Sequence, residues 1–192
     1  MVQDAGLLLK KENGVEDDNV RLSWSLNSSQ KTWSEKKIQS AYKLILDTTG
    51  EAYSLDRLRM LPLATDFGNW VLQEKDGGAE IKGLLWVMKI SDFTCRVLVF
   101  SVNSLLQRKG FGTAAWSLFS KKALDLGFES VQLEVRVDNL QAISMYMHWG
   151  LKPVGVITKY YRDSDAWLMQ GLLRSTERQN DALSRPRPPH AR

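Results

Sequence analysis

The sequence predicts an α/β fold on a mixed, mostly antiparallel sheet of seven strands flanked by about four helices. Three observations predict it. Segments of strand period and of helix period follow one another in the order β-α-α-β-β-β-α-β-α-β-β. The three consecutive strand segments are joined by links too short for a crossover, so they form an antiparallel meander. Only one clear strand–helix–strand unit follows them, which keeps the parallel part of the sheet small.

The elements run as follows. Val20 to Leu26 alternates apolar and polar residues, the period of a strand. Thr32, with Glu35 three residues on, reads as a capping box opening a helix that ends near Thr49-Gly50. Its apolar residues Ile38, Ala41, Leu44 and Ile45 fall at helical spacing. Ser54 to Leu61 reads as a second, short helix before Pro62. Strands are expected at Asn69 to Glu74, Ile81 to Ile90 and Arg96 to Val102, the first two joined by the hairpin signal Lys75-Asp76-Gly77-Gly78. A helix over Thr113 to Leu126 stops at Gly127. Ser130 to Val137 is a strand, Asn139 to Trp149 a helix stopped by Gly150, and Leu151 to Lys159 and Ala166 to Leu172 are a closing pair of strands.

Composition bounds the rest. A chain of 192 residues suits one domain, expected over residues 20–173. Residues 1–19 are polar and acidic and read as a mobile extension. Residues 174–192, rich in Arg and Pro, read as a disordered tail. Net charge is +4, from 26 basic and 22 acidic residues, which suits solubility and does not demand nucleic acid. Cys95 is the only cysteine, so neither an intrachain disulfide nor a multi-cysteine metal site can form. His148 and His190 lack partners at ligand spacing, so no metal is expected. No signal peptide or bilayer-spanning run is seen, and a cytoplasmic location without membrane contact is expected.

The chemistry gathers after the meander. Gln107, Arg108, Lys109, Gly110 and Gly112 form a basic, glycine-containing loop between a strand and a helix. Unpaired N–H groups at a helix start, the helix dipole and close approach at glycine make an anion site there. Further on, Val131, Leu133, Val135 and Val137 point one way, and Gln132, Glu134, Arg136 and Asp138 the other. A strand between two helices is usually apolar on both faces. The alternation therefore marks either an edge strand or a cleft beside the strand. Asn139, Ala142 and Tyr146 then share one side of the following helix.

Gly110-Phe111-Gly112-Thr113-Ala114-Ala115 also fits a dinucleotide fingerprint, with Glu134 at a suitable distance. That fingerprint should follow its strand tightly and open a series of parallel units. Here Asn103 to Lys109 intervene and a meander precedes.

These pieces resemble the GNAT superfamily of acyl-coenzyme A-dependent N-acetyltransferases. Its phosphate loop, Gln/Arg-x-x-Gly-x-Gly/Ala, is matched by Gln107-Arg108-Lys109-Gly110-Phe111-Gly112. A second signature, Asn-x-x-Ala-x-x-x-Tyr-x-x-x-Gly-Phe, is matched by Asn139, Ala142, Tyr146 and Gly150, with Leu151 in place of the final Phe. LEVRVDNLQAISMYMHWGLKP and KYYRDSDAWLM are similar to segments of the RimI and protein N-terminal acetyltransferase branch.

The resemblance implies a GNAT fold with strands four and five splayed and acetyl-coenzyme A in the gap. It implies that the backbone around Phe100 and Val102 pairs with the pantetheine and that N–H groups from Arg108 to Thr113 hold the pyrophosphate. Arg108 and Lys109 would add charge there, and Asn139 would bond the pantetheine arm. It implies Glu134 as base, through water, and Tyr146 as acid. Tyr160 and Tyr161 would flank the substrate's first residues, with Asp163 and Asp165 nearby. A phenol of pKa roughly 10 can protonate a thiolate of pKa near 8.5. Deprotonating a lysine amine at neutral pH costs roughly 3.5 kcal/mol more than an α-amine, so one carboxylate base favours a protein or peptide N-terminus. A small amine or lysine acceptor, and a non-catalytic acyl-coenzyme A-binding module, remain as alternatives. A ribosome contact through the basic tail is a further open one. The residues do not give an oligomeric state.

Overall fold

The architecture is set by one strand with an extra residue. In the computed structural model, which describes residues 6–7, 22–75 and 78–174, this strand is β4 (Thr94–Val102). Its neighbours before it in the chain are β1 (Leu22–Leu26), β2 (Asn69–Glu74) and β3 (Gly83–Lys89). After it come β5 (Ser130–Arg136), β6 (Lys152–Ile157) and β7 (Ala166–Leu172). The sheet runs β1-β2-β3-β4-β5-β7-β6, and Gly6–Leu7, inside the expected N-terminal extension, adds a two-residue strand beside β1. Every neighbouring pair is antiparallel except β4 and β5. The mixed, mostly antiparallel sheet is therefore as expected, and β5 lies inside it, so its polar face is not that of an edge.

The register between β3 and β4 jumps. Trp86 faces Val99 while Val87 faces Val97, so Leu98 is one residue too many. Such a bulge shifts the alternation of side chains. Val97 accordingly packs in the core on one face of the sheet and Val99 in the core on the other.

Two helical layers cover those faces. On one side lie α1 (Glu35–Thr49) and α2 (Leu55–Met60). Ile38, Ala41, Leu44 and Ile45 of α1 and Leu58 of α2 pack there against Val71, Leu84, Trp86 and Val99. On the other side lie α3 (Phe111–Asp125) and α4 (Leu140–His148). Phe111, Ala115, Trp116, Phe119 and Ala123 of α3 pack against Leu85, Val87, Val97, Val131 and Leu133. Burying each such side chain is worth about 1.5–3 kcal/mol before the entropy of ordering it.

Several boundaries differ from the sequence expectation, each for a local reason. Ser34, not Thr32, caps α1, its Oγ accepting from Lys37 N at 3.3 Å. Thr32 belongs to a preceding 3-10 turn, where its hydroxyl donates to Ser29 O at 2.9 Å. The chain is extended at Trp33 between them, and that ring is buried against Trp86 with centroids 5.8 Å apart. α3 starts at Phe111 rather than Thr113, because Gly110 in left-handed conformation serves as its N-cap. Ile81 is buried ahead of β3 rather than within it.

β6 is an outer strand. Its exposed Val154 and Val156 stand beside Pro153, and its register against β7 is irregular between Pro153 and Gly155. A proline and a bulge are usual at a sheet's rim, where no partner needs the missing donor. Asp76 and Gly77 of the hairpin signal, most of the N-terminal extension, and the tail from residue 175 on lie outside the described residues.

Trp86 tests the α1 side of the core. It is fully buried, and its indole nitrogen has no hydrogen-bond partner among the described residues. Trp86→Ala should lose about 3–5 kcal/mol in urea unfolding. Trp86→Phe should lose clearly less, because the unsatisfied donor leaves with the ring.

Candidate active site

β4 and β5 pair in parallel from Thr94 with Ser130 to Val97 with Leu133, and there pairing stops. The last rung comes just before the extra Leu98, and from there β4 continues to Val102 and β5 to Arg136 without bonding. Between them opens a cleft of about 390 Å³. The expected splay of strands four and five is therefore present, and the bulge accounts for it. Leu98 to Val102 line one wall and Leu133 to Arg136 the other. Thr48 and Thr49 of α1, Gly112 of α3, Asn139 at the N-cap of α4, and Ala142 and Tyr146 of α4 also line it.

One end suits an anion. Arg108 and Gly110 both have positive φ, 60° and 84°, so the loop turns its amides alternately before α3 begins. Gly110 offers no side-chain cap, and the first-turn N–H groups of α3 are left for a ligand. Gln107 ties the loop to β4, its Nε2 donating to Val102 O at 3.0 Å. Of the expected loop residues, Gln107, Arg108 and Gly112 line the cleft. Lys109, Gly110 and Thr113 lie on the exposed surface beside it. The Phe111 ring is buried in the core instead, and its carbonyl accepts from Trp24 Nε1 at 3.0 Å.

The other end holds the titratable groups. Glu134, on β5, forms an ion pair with Arg96 of β4. Arg96 Nε lies 2.9 Å and Nη2 2.8 Å from the same oxygen, Oε2. The glutamate side chain is only 7% exposed. For Arg96, burial acts to lower the pKa, but the Glu134 charge and hydrogen bonds outweigh it and the net shift is upward.

Tyr146, on α4, is buried, and desolvation holds its hydroxyl above the ordinary phenol value. Its ring is wedged against Trp116 and Trp149, at 6.1 and 5.9 Å, and those two indoles stack at 4.5 Å. Asn139 does line the cleft, but its Oδ1 caps α4 by accepting from Ala142 N at 3.1 Å.

The turn after β6 brings up the tyrosine pair. Lys159 has φ of 54°, and its N–H donates to Asp165 Oδ1 at 2.7 Å. Tyr161 then lines the cleft, its hydroxyl donating to Glu134 O at 3.4 Å. Tyr160 meets Tyr161 edge-on at 4.9 Å, and its oxygen accepts from Arg96 Nη2 at 3.2 Å. Asp163 is engaged by Arg136 at 2.7 Å, and Asp165 by the turn, so both acids already have structural partners.

Sequence reasoning missed Arg96, Glu51 and Tyr53. Glu51 and Tyr53 line the cleft and are hydrogen-bonded to each other. They follow Gly50, whose left-handed cap turns the chain at the end of α1. The signal for Arg96 was a lone charge in an otherwise apolar strand. Among the described residues, no group of three or more His, Cys, Asp or Glu is placed to hold a metal, and no helix is long and apolar enough to cross a membrane.

Known proteins resemble this chain in sequence and fold. The profile of the acetyltransferase (GNAT) family matches residues 38–151. An N-alpha-acetyltransferase of Sulfurisphaera tokodaii is 40% identical over 75 residues, which is 38% of this chain and 45% of that protein. The match thus spans less than half the length of that curated relative. The crystal structure of Ard1 from Thermoplasma volcanium superposes with a TM-score of 0.66 at 26% identity, covering 80% of this chain and 99% of that one. The ribosomal-protein-S18-alanine N-acetyltransferase of Escherichia coli has the same fold, with a TM-score of 0.65 at 18% identity over 81% of this chain and 96% of its own.

Tyr53, Tyr146 and Tyr161 are all raised, by burial first. A raised folded-state value means the unfolded chain deprotonates first. The stability these phenols contribute is thus complete below pH roughly 10 and is lost as pH rises beyond it. An ultraviolet titration should show their phenolates forming only as the protein unfolds, and Tyr146→Phe should remove one of the delayed ionisations.

Proposed function

Since the chain belongs to the acetyltransferase (GNAT) family, we propose that it transfers an acetyl group from acetyl-coenzyme A to an amine, most specifically the N-terminal α-amine of a protein or peptide. The observation that carries this reading is the content of one cleft. An uncapped helix start sits at one end, a carboxylate and a buried phenol at the other, and unpaired strand backbone runs between them.

The residues present fit the cosubstrate. N–H groups of the Arg108–Thr113 turn would hold the pyrophosphate, with charge from Arg108 and Lys109. Backbone of Phe100 and Val102 on the open side of β4 would bond the pantetheine as a short added strand. Val102 O already accepts from Gln107, which fixes where that strand ends. Asn139 has its oxygen engaged in capping, so its amide nitrogen is the group left for the pantetheine arm.

Acetyl-coenzyme A supplies an activated thioester carbonyl. The chain's own groups move the protons. Glu134 takes a proton from the incoming ammonium, through water, so that the amine nitrogen is free to bond to the carbonyl carbon. The carbon–sulfur bond breaks, Tyr146, kept protonated by burial, gives its proton to the departing sulfur, and the second proton that the nitrogen sheds on becoming an amide returns to the tyrosine through water. Tyr160 and Tyr161 stand over Glu134 and would pack against the substrate's first residues.

An N-terminal acceptor is supported by the low intrinsic pKa of an α-amine, which a single carboxylate can serve. The N-alpha-acetyltransferase named among the relatives supports it too. A cytoplasmic site of action, and a ribosome contact through the Arg-rich residues after Leu173, are consistent with such a substrate.

The test incubates the protein with acetyl-coenzyme A and a mixture of N-terminal peptides, lysine peptides and polyamines, with products read by mass. Acetylated peptide N-termini are expected. Product on small amines alone would overturn the acceptor, and tight coenzyme binding without any product would point to a binding module. Glu134→Gln and Tyr146→Phe should each lower kcat by about 10²- to 10⁴-fold.

A further inference from the structure

Arg96 has no part in the reaction as derived so far, yet it bonds both Glu134 and Tyr160 at the proton-transfer end of the cleft. It faces Gln132 in the β4–β5 ladder, one rung before the last. Glu134 is two residues further along β5, on the same face and just past the fork. The guanidinium therefore reaches diagonally across the strands at the point where they part. Nε and Nη2 both converge on Oε2, and Nη2 also donates to Tyr160 Oη.

We propose that Arg96 is a positioning residue that pins Glu134 by one oxygen and leaves the other, Oε1, to accept the substrate's proton. The proposal rests on the reaction proposed above. Beyond the last rung β5 is held only from the β7 side, and the Glu134 side chain, which faces the open fork, can rotate. The charge-assisted hydrogen bond from Nε, with Nη2 in ion-pair contact on the same oxygen, fixes that rotation. These contacts also place a counter-charge against a carboxylate that is only 7% exposed. The bond to Tyr160 extends the same restraint to the turn over the site, and Tyr161 closes the loop through the Glu134 carbonyl. The charged and titratable groups facing Glu134 are thus Arg96 from β4, Tyr160 and Tyr161 from the β6–β7 turn, Tyr146 from α4 and Glu51 from the loop after α1. Arg136 is the charged neighbour on its own strand.

The experiment is a double-mutant cycle with the acceptor amine identified in the mass assay. Arg96→Gln should lower kcat by about 10²-fold, the usual penalty for a misplaced catalytic group, and leave coenzyme A affinity unchanged. The acid side of its kcat–pH profile should move up by about 1–3 units, as expected when a buried carboxylate loses its counter-charge. Arg96→Lys keeps the charge without the planar fork. It should restore the acid limb and only part of kcat, and it carries the test if Arg96→Gln fails to fold. In a Glu134→Gln background, Arg96→Gln should have no further effect on kcat. An equal loss in both backgrounds, or a kcat and acid limb unchanged from wild type, would overturn the role of Arg96 while leaving the acetyl transfer intact. A wild-type chain that acetylates no amine would overturn the reaction itself, and the role of Arg96 with it.

Discussion

The site depends on one extra residue in one strand. Leu98 breaks the register of β4 against β3, and one residue earlier β4 loses its hold on β5. The same bulge turns Val97 toward one core and Val99 toward the other, so that a single strand is anchored in both. A sheet of this size would ordinarily bond every strand along its length, because buried backbone groups without partners are costly. Here the two cores hold the strands apart firmly enough that the unbonded stretch persists as a cleft. Thr48 Oγ1 to Ser101 Oγ, at 3.0 Å, ties the end of α1 to the free part of β4 and helps fix that gap.

The cleft has walls of opposite character. Toward α3 and α4 it is backed by Phe100, Trp116, Tyr146 and Trp149, an aromatic cluster with little water to stabilise a charge. A phenol set in that wall stays neutral. Toward the β6–β7 turn the wall is ionic, with the Arg96–Glu134 pair and, further out, Arg136 between Asp138 and Asp163. A buried phenol and a paired carboxylate therefore line one cavity, each held by its own surroundings.

Much of this was legible in the sequence. The period of Val131, Leu133 and Val135 against Gln132, Glu134 and Arg136 gave the polar face of β5, and the short links before β4 gave the meander. Asn139 and Tyr146 could be placed on one helix face by spacing alone. What stayed hidden depends on register and on contacts between distant segments. The strand pattern at 94–102 does not show which residue is surplus, since both faces are apolar. The start of α3 at Phe111 rather than Thr113, and Ser34 as a cap in place of Thr32, were choices between nearby candidates settled by the packing of Phe111 and Trp33. Arg96 is a single charge whose partners lie in other elements, Glu134 on β5 and Tyr160 of the β6–β7 turn.

Among the described residues, open strand backbone lies at the outer side of β6 and within the β4–β5 fork. At the rim, Pro153 and the irregular register at Gly155 spoil the template for any further strand. Inside the fork no such blunting is needed, because depth acts as the filter. The unbonded stretch opens into a cleft of about 390 Å³ lined from α1, α3 and α4, so an edge that would invite aggregation at a rim is enclosed instead.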